Sequence, residues 1–469
     1  MKVQRFFYAG ETFLNPDSNT LWYIPLGGTG EIGMNMNLYG HNGSWLVVDC
    51  GVSFDEPLIP SYKNSQENEE EGPTHRVVCA DPQFIIEQKE AVAGIVITHA
   101  HEDHIGAIAD IWPYVKAPIY ATPFTVQVAQ RKLAERQLLH KVELITVPIN
   151  GRLQIGHFDV SWLAMTHSIP EPSALVIRTP VGTVLHTADW KIDAAPIVGK
   201  PFDNTALLAL KHEANLTVVG DSTNATKPGY SLSEQDCYEG LLATVRGQAG
   251  RVVVGCFASN IARLISLAKI ASETGRYLCL LGRSLHNMYS NAKATGYWPE
   301  DAQIIDHRHA GYLLPEEVLA LATGTQGEPR AALARLASES HQDLELDKGD
   351  TVIFSSIVIP GNEKSVEKLV RQLKAKEVKV LMSEHYPLAI HASGHPNKEE
   401  LTQLYHWTRP ERVIPTHGEL QHLRAHAEIA KNAGVKKTSV GINGDLFELA
   451  PQSGVKRQKV TVGRWAINR

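Results

Sequence analysis

Cysteine is scarce and unpaired in this chain of 469 residues: Cys50, Cys79, Cys237, Cys256 and Cys279 are scattered, with no CxxC spacing. That argues against a disulfide framework and a zinc ribbon, and it suits a reducing, cytoplasmic setting. Positive charge is not in excess either. With a net charge of -6 there is no global attraction for nucleic acid, so a polyanion would have to be met by a local basic lining. No apolar run approaches the roughly 20 residues of a membrane span, and a membrane role is not expected. Residues 1–7 lack the continuous apolar region of a secretory leader. Internal repeats and low-complexity tracts are also missing.

What is present is enough apolar content, 43%, for more than one core, and two domains are expected. Strand-like runs at 21–24, 45–48, 94–97, 161–164 and 181–185, interrupted by a helix-like stretch over 124–139, read as an α/β layered domain. From about Thr217 a second alternation begins. Apolar runs at 218–220, 251–255, 277–281 and 351–354 each precede a helical pattern, and 378–381 continues the series. That βαβ order predicts a doubly wound parallel sheet. The acidic segment 61–72 reads as a solvated surface loop. Gly28, Gly30 and Gly33 fit the GxGxxG dinucleotide pattern, which requires a helix to open there. Residues 34–39 read instead as another strand, so the glycines mark a strand–loop–strand.

The chemistry concentrates where the run 94–97 ends: Thr98-His99-Ala100-His101-Glu102-Asp103-His104. His99 and His101 alternate like residues on one side of a strand end and can share a metal. Asp103 and His104 follow as the chain turns into a helix and point to a second position. Imidazole nitrogen and carboxylate oxygen suit zinc at about 2.0–2.2 Å. Two metals need further donors at other strand ends. His167 after 161–164 offers a third imidazole for the first ion, Asp189 after 181–185 a bridge, and His417 after 413–414 completes the second. Asp49, after 47–48, is placed to accept a hydrogen bond that fixes an imidazole tautomer. The other histidines, His426 among them, read as packing or surface residues.

HxHxDH followed by a separate His, Asp and His resembles the donor order of the metallo-β-lactamase superfamily, and the second βαβ series resembles the β-CASP insertion of its nucleic-acid-processing branch. Within that branch the chain is similar to the bacterial ribonuclease J family. The residues that carry the likeness are 26–35 (Leu-Gly-Gly-Thr-Gly-Glu-Ile-Gly-Met-Asn), the His99 cluster, 220–225, 257–260, 323–329, 359–363, His391-Ala392-Ser393-Gly394-His395, and 415–419. The resemblance implies an αββα sandwich formed by residues 1–216 and 390–469, with a β-CASP domain inserted at 217–389. It implies a dinuclear, metal-dependent ribonuclease of RNA processing and decay, acting 5′-to-3′ from an end and also able to cut internally. Zn2+ is the expected ion, with Mn2+ or Mg2+ as alternative activators.

Asp103, Asp189, Asp221 and His395 then become the catalytic set. Asp221 matches the family's acidic motif, and His395 would stabilise charge at the scissile phosphate or protonate the leaving 3′ oxygen. Ser259, Asn260, Gln326, His391, Ser393, Gly394 and His395 fall on segments that members of the family use to hold RNA phosphates and bases, and the resemblance implies the same role here. Arg263, Arg283, Lys364, Lys368 and Arg371 are candidates to line the RNA path. Three departures stand out. Ala100 replaces a usual Gly, residues 57–81 are longer and more acidic than the pattern, and the chain stops near Trp465, where the family's C-terminal domain would begin. A short form without that domain is therefore expected, with a homodimer left open to it. Two rival readings remain. A thioesterase- or lactonase-like hydrolase of small molecules would lack the inserted domain, and a catalytically silent RNA-binding subunit would have lost donors.

Overall fold

The computed structural model describes residues 3–5, 14–54, 77–359 and 361–467. The acidic stretch 61–72 and most of the long 57–81 segment lie outside the described residues.

Among the described residues, two mixed sheets face each other. The eight-stranded sheet runs, in spatial order, through Leu144–Thr146, Ile119–Ala121, Val92–Val96, Ser44–Val48, Met36–His41, Leu21–Gly27, Leu446–Ala450 and Gly454–Lys456. The seven-stranded sheet runs through Arg152–Ile155, Phe158–Ala164, Ser173–Thr179, Gly182–His186, Leu216–Asp221, Arg412–Thr416 and Lys437–Thr438. Side chains alternate along a strand, so each sheet offers one face to its partner. Tyr23, Tyr39, Leu46, Val48 and Val96 from the first interdigitate with Phe158, Trp162, Leu175, Val184, Val219 and Ile414 from the second. Helices cover the outer faces, giving an αββα sandwich. The helix Lys398–Thr408, for example, presses Leu401, Leu404 and Tyr405 against Val218 and Val413.

A third sheet is wholly parallel, in the order Tyr277–Leu281, Val318–Ala322, Val252–Gly255, Thr351–Phe354 and Lys379–Met382. Helices pack on both of its faces, as parallel strands require. Two particulars differ from the sequence reading. The strand Leu216–Asp221, counted there as the first of the second series, pairs instead with Gly182–His186 and Arg412–Thr416. A boundary at 217 would cut that ladder. Val318–Ala322 was not foreseen at all, yet it lies second in the five-stranded sheet.

Segment 34–41 forms the strand Met36–His41 and not a helix, so the glycine-rich loop 27–33 is a strand–loop–strand. No described helix is long and apolar enough to cross a membrane. All five cysteines are free and buried.

Candidate metal centre

The site gathers at one edge of the sandwich, where several strands end together. Val92–Val96 leads into His99 and His101, and the short helix Glu102–Ile105 carries Asp103 and His104. His167 follows Phe158–Ala164, Asp189 follows Gly182–His186, Asp221 closes Leu216–Asp221 and His417 follows Arg412–Thr416. The backbone accepts tight constraints to achieve this. Asp49, Ala188 and His417 all adopt left-handed conformations, at φ 67°, 49° and 49°. For non-glycine residues this is strain, retained where surrounding contacts over-determine it. Gly51 is needed for another reason: a Cβ there would stand 1.7 Å from the Asp103 carbonyl oxygen.

Potential donor atoms converge in three sets, each within 4.8 Å: His99, His101, His167 with Asp189; Asp103, His104, His417 with Asp189; and Asp189, Asp221, His395 with His417. Asp189 belongs to all three and is 2% exposed. Its Oδ2 lies 3.7 Å from His99 Nε2, 3.8 Å from His167 Nε2 and 3.3 Å from His104 Nε2. Its Oδ1 lies 2.9 Å from His417 Nδ1.

Hydrogen bonds behind the cluster select the tautomers. Asp49 Oδ2 accepts from His104 Nδ1 at 2.7 Å and from Thr98 Oγ1 at 2.9 Å. Thr98 Oγ1 in turn takes the proton of His99 Nδ1, 3.1 Å away. His167 Nδ1 donates to the Gly394 carbonyl at 2.6 Å. In each imidazole the proton is drawn outward and the Nε2 lone pair is left facing inward, the arrangement that raises a ligand's basicity.

His167 Nε2 lies 3.0 Å from His101 Nδ1, and other atoms of the cluster have nothing to bond. His99 Nε2, Asp189 Oδ1 and both ring nitrogens of His417 are buried without a hydrogen-bond partner. The close approach of His417 Nδ1 to Asp189 Oδ1 lacks hydrogen-bond geometry. Buried polar atoms are rarely left this way. Burial drives His99, His101 and His167 toward the neutral form, with His101 lowered to about 4. Burial opposes charge on His104 and His417 too, but the Asp189 and Asp103 carboxylates outweigh it, and His417 is raised to about 10. The same attraction holds both carboxylates below the usual range despite their burial. The cluster therefore demands positive charge. A donor set of imidazole nitrogens and carboxylates, fixed from behind and unpaired in front, fits divalent metal ions.

His395 Nδ1 donates to Asp221 Oδ2 at 2.8 Å, while Thr223 Oγ1 and N hold the other oxygen at 2.7 and 2.9 Å. Ser393 Oγ accepts from Asn224 Nδ2 at 2.8 Å, and His391 Nδ1 donates to the Ser355 carbonyl at 3.2 Å.

Three family models match consecutive parts of the chain: Metallo-beta-lactamase superfamily over residues 30–214, Ribonuclease J, beta-CASP domain over 249–373, and Zn-dependent metallo-hydrolase RNA specificity domain over 389–440. A ribonuclease J of Sinorhizobium meliloti is 38% identical over 435 residues, covering 92% of this chain and 74% of that relative. The chain belongs to the ribonuclease J family. Ribonuclease J of Thermus thermophilus is 34% identical, with 94% of this chain and 76% of the relative covered. Ribonuclease J 1 of Streptococcus pyogenes is 35% identical, with 93% and 75% covered. A solved Enterococcus faecalis protein of unknown function shares the fold, with a TM-score of 0.62 at 16% identity, covering 92% of this chain and all of that one.

Other residues singled out in the sequence lie in different surroundings. Ser259 and Asn260 precede the helix Ile261–Glu273, and the Asn260 side chain caps it by accepting from Arg263 N at 2.9 Å. The Gln326 amide is spent on two backbone groups, Ile357 O at 2.9 Å and Ile359 N at 2.8 Å. Arg283, Lys364, Lys368 and Arg371 are exposed. Arg263 does not line an RNA path: it is 0% exposed and ion-paired inside the protein. Two side chains that the sequence reading did not single out touch the site. Asn35 Nδ2 lies 3.1 Å from His104 Nε2, and Asn224 bonds both Ser393 and the His395 carbonyl. Both sit in motifs of the glycine-rich and acidic loops, which was the available signal.

Proposed function

We propose that this chain hydrolyses RNA phosphodiester bonds in the cytoplasm, progressing 5′-to-3′ from a monophosphorylated end with internal cleavage as a second mode. Metal-dependent ribonuclease chemistry comes with the family; direction, end preference and site roles are the proposal. The observation that carries it is Asp189, a buried carboxylate shared by two donor sets, one built on His99, His101 and His167, the other on Asp103, His104 and His417. Zn2+ is the resident ion proposed for both, with Mn2+ or Mg2+ able to serve in turnover. Two such ions, when bound, would make water nucleophilic at neutral pH and offset charge on the phosphate.

The chain's own groups supply the rest. Asp221 orients His395 through Nδ1 and leaves Nε2 to meet substrate. Burial would deprotonate His395, but Asp221 and Asp189 reverse this and raise its pKa. It is thereby suited to hand a proton to the leaving 3′ oxygen. Ser393 already accepts from Asn224 and His395 N, so its own proton is available to a phosphate oxygen. Ser393, Gly394 and His391 make up the end-binding segment of this reading, with Ser259, Asn260 and Gln326 as further contacts to RNA phosphates and bases. Residues 222–389 form the inserted domain, and the RNA path runs between it and the sandwich.

The test compares 5′-monophosphate and 5′-triphosphate forms of one labelled RNA, with zinc, manganese and magnesium supplied in turn. Faster decay of the monophosphate form with release of mononucleotides is expected. Equal rates with internal fragments would make the chain an endonuclease. Retention of RNA without cleavage would favour a silent binding subunit, and turnover of thioesters alone a small-molecule hydrolase.

A further inference from the structure

Arg263 lies on the first turn of Ile261–Glu273, and its guanidinium is sealed from solvent. A buried charge is tolerated when its donors find partners; Nε has none, and the partners of the two terminal nitrogens come from three separate segments. Nη2 donates to Glu234 Oε2 at 3.2 Å, at the start of the helix Glu234–Arg246. Nη1 donates to Ser355 O at 3.3 Å, to Ser355 Oγ, and to Ile390 O at 3.4 Å. Ser355 Oγ also donates to Ile390 O, at 2.6 Å, and Ser355 O receives the His391 Nδ1 proton. The residue before His391 is thus held from two directions.

In the other direction the same chain of contacts runs toward the metal donors. Glu234 N donates to Asp193 Oδ2 at 3.0 Å, and that oxygen pairs with Lys191 Nζ at 3.1 Å. Thr166 Oγ1 donates to the Lys191 carbonyl at 2.6 Å and accepts from Asp193 N at 3.2 Å. Thr166 immediately precedes His167, whose Nδ1 closes the loop on Gly394. Lys191, Asp193, Glu234 and Arg263 are each at most 1% exposed. A pair serving stability alone could be replaced by apolar side chains without loss. This pair instead ends on the backbone of the segment that carries His391, Ser393, Gly394 and His395.

We infer that Arg263, together with Glu234, is a positioning residue that sets where the His391–His395 segment stands relative to the metal-donor cluster. The inference rests on that segment being the one that faces substrate. Its removal lowers turnover and leaves the metal content intact, since a displacement of about 1 Å at a reacting centre can cost about 100-fold in rate.

The full chain is assayed as E234M/R263M, S355A and H395A, with melting temperature, metal equivalents per chain, kcat and KM on a 5′-monophosphorylated RNA measured for each. The double substitution removes both charges together, so no lone buried charge remains. The expected result is wild-type metal content with kcat reduced by about 10- to 100-fold in E234M/R263M, and a smaller fall in the same direction in S355A. Wild-type kcat in a folded, metal-loaded E234M/R263M overturns the inference, as does a loss carried wholly by KM or by missing metal. If the double variant does not fold, S355A decides, and wild-type kcat there overturns it. Wild-type turnover in H395A would instead remove the premise about the segment. An impaired H395A beside unaffected E234M/R263M and S355A defeats the inference alone.

Discussion

At the scale of single residues, the metal donors were legible because they are close in sequence or share one context, a polar residue directly after an apolar run. Asp49 shows what such a reading can also reach, an acceptor behind the cluster. Asp49→Asn keeps the shape but weakens the pull on the His104 Nδ1 proton and removes a buried charge that favours a cation. Zinc affinity at the site containing His104 should fall about 10- to 100-fold, read by competition with a chromophoric chelator. Unchanged affinity would mean that Asp49 only ties the loop to Thr98. Gly394 makes a complementary case. A Cβ there would stand 2.3 Å from His167 Cε1, so Gly394→Ala must push that imidazole aside. Loss of about one metal equivalent, with the far-ultraviolet spectrum unchanged, is the expected outcome. Arg263 was illegible at this scale for a physical reason. Whether an arginine is buried depends on Glu234, Ser355 and Ile390, which only the fold assembles.

At the scale of elements, period and composition identify a strand but not the sheet it joins. Leu216–Asp221 and Val252–Gly255 are apolar runs buried on both faces, and nothing local distinguishes them. Only the ladders with Gly182–His186 and Arg412–Thr416 assign the first to the sandwich. Val318–Ala322 escaped because Val-Leu-Ala-Leu-Ala has no alternation and is rich in good helix formers; tertiary pairing overrides that preference. Its place between Val252–Gly255 and Tyr277–Leu281 buries every residue. Leu321→Ala, at 0% exposure, should therefore cost about 2–5 kcal/mol in urea denaturation, with metal content unchanged. A cost below about 1 kcal/mol would argue that this sheet repacks freely around the strand.

At the scale of the whole molecule, the sandwich buries neutral histidines beneath its metal edge, and this couples folding to pH. His186 bonds Tyr39 Oη at 2.9 Å, and burial lowers its pKa from 6.5 to about 3. His426 bonds Ser222 Oγ at 2.8 Å and Tyr405 Oη, and burial lowers its pKa to about 4. Both folded values lie below the unfolded one, so below pH 6.5 the unfolded chain binds protons that the folded chain refuses. Stability from this source is present above 6.5 and is lost as pH falls toward 4, by up to about 1.4 kcal/mol per pH unit for each group. Between pH 7.5 and 5.0, His426 alone accounts for about 2 kcal/mol. Changes in metal affinity with pH act on wild type and variant alike, so the comparison isolates the group. His426→Gln, which cannot titrate, should lose about 2 kcal/mol less than wild type over that interval in urea denaturation. Parallel losses in the two proteins would show that His426 takes up its proton in the folded state, with the Ser222 and Tyr405 bonds rearranging around it.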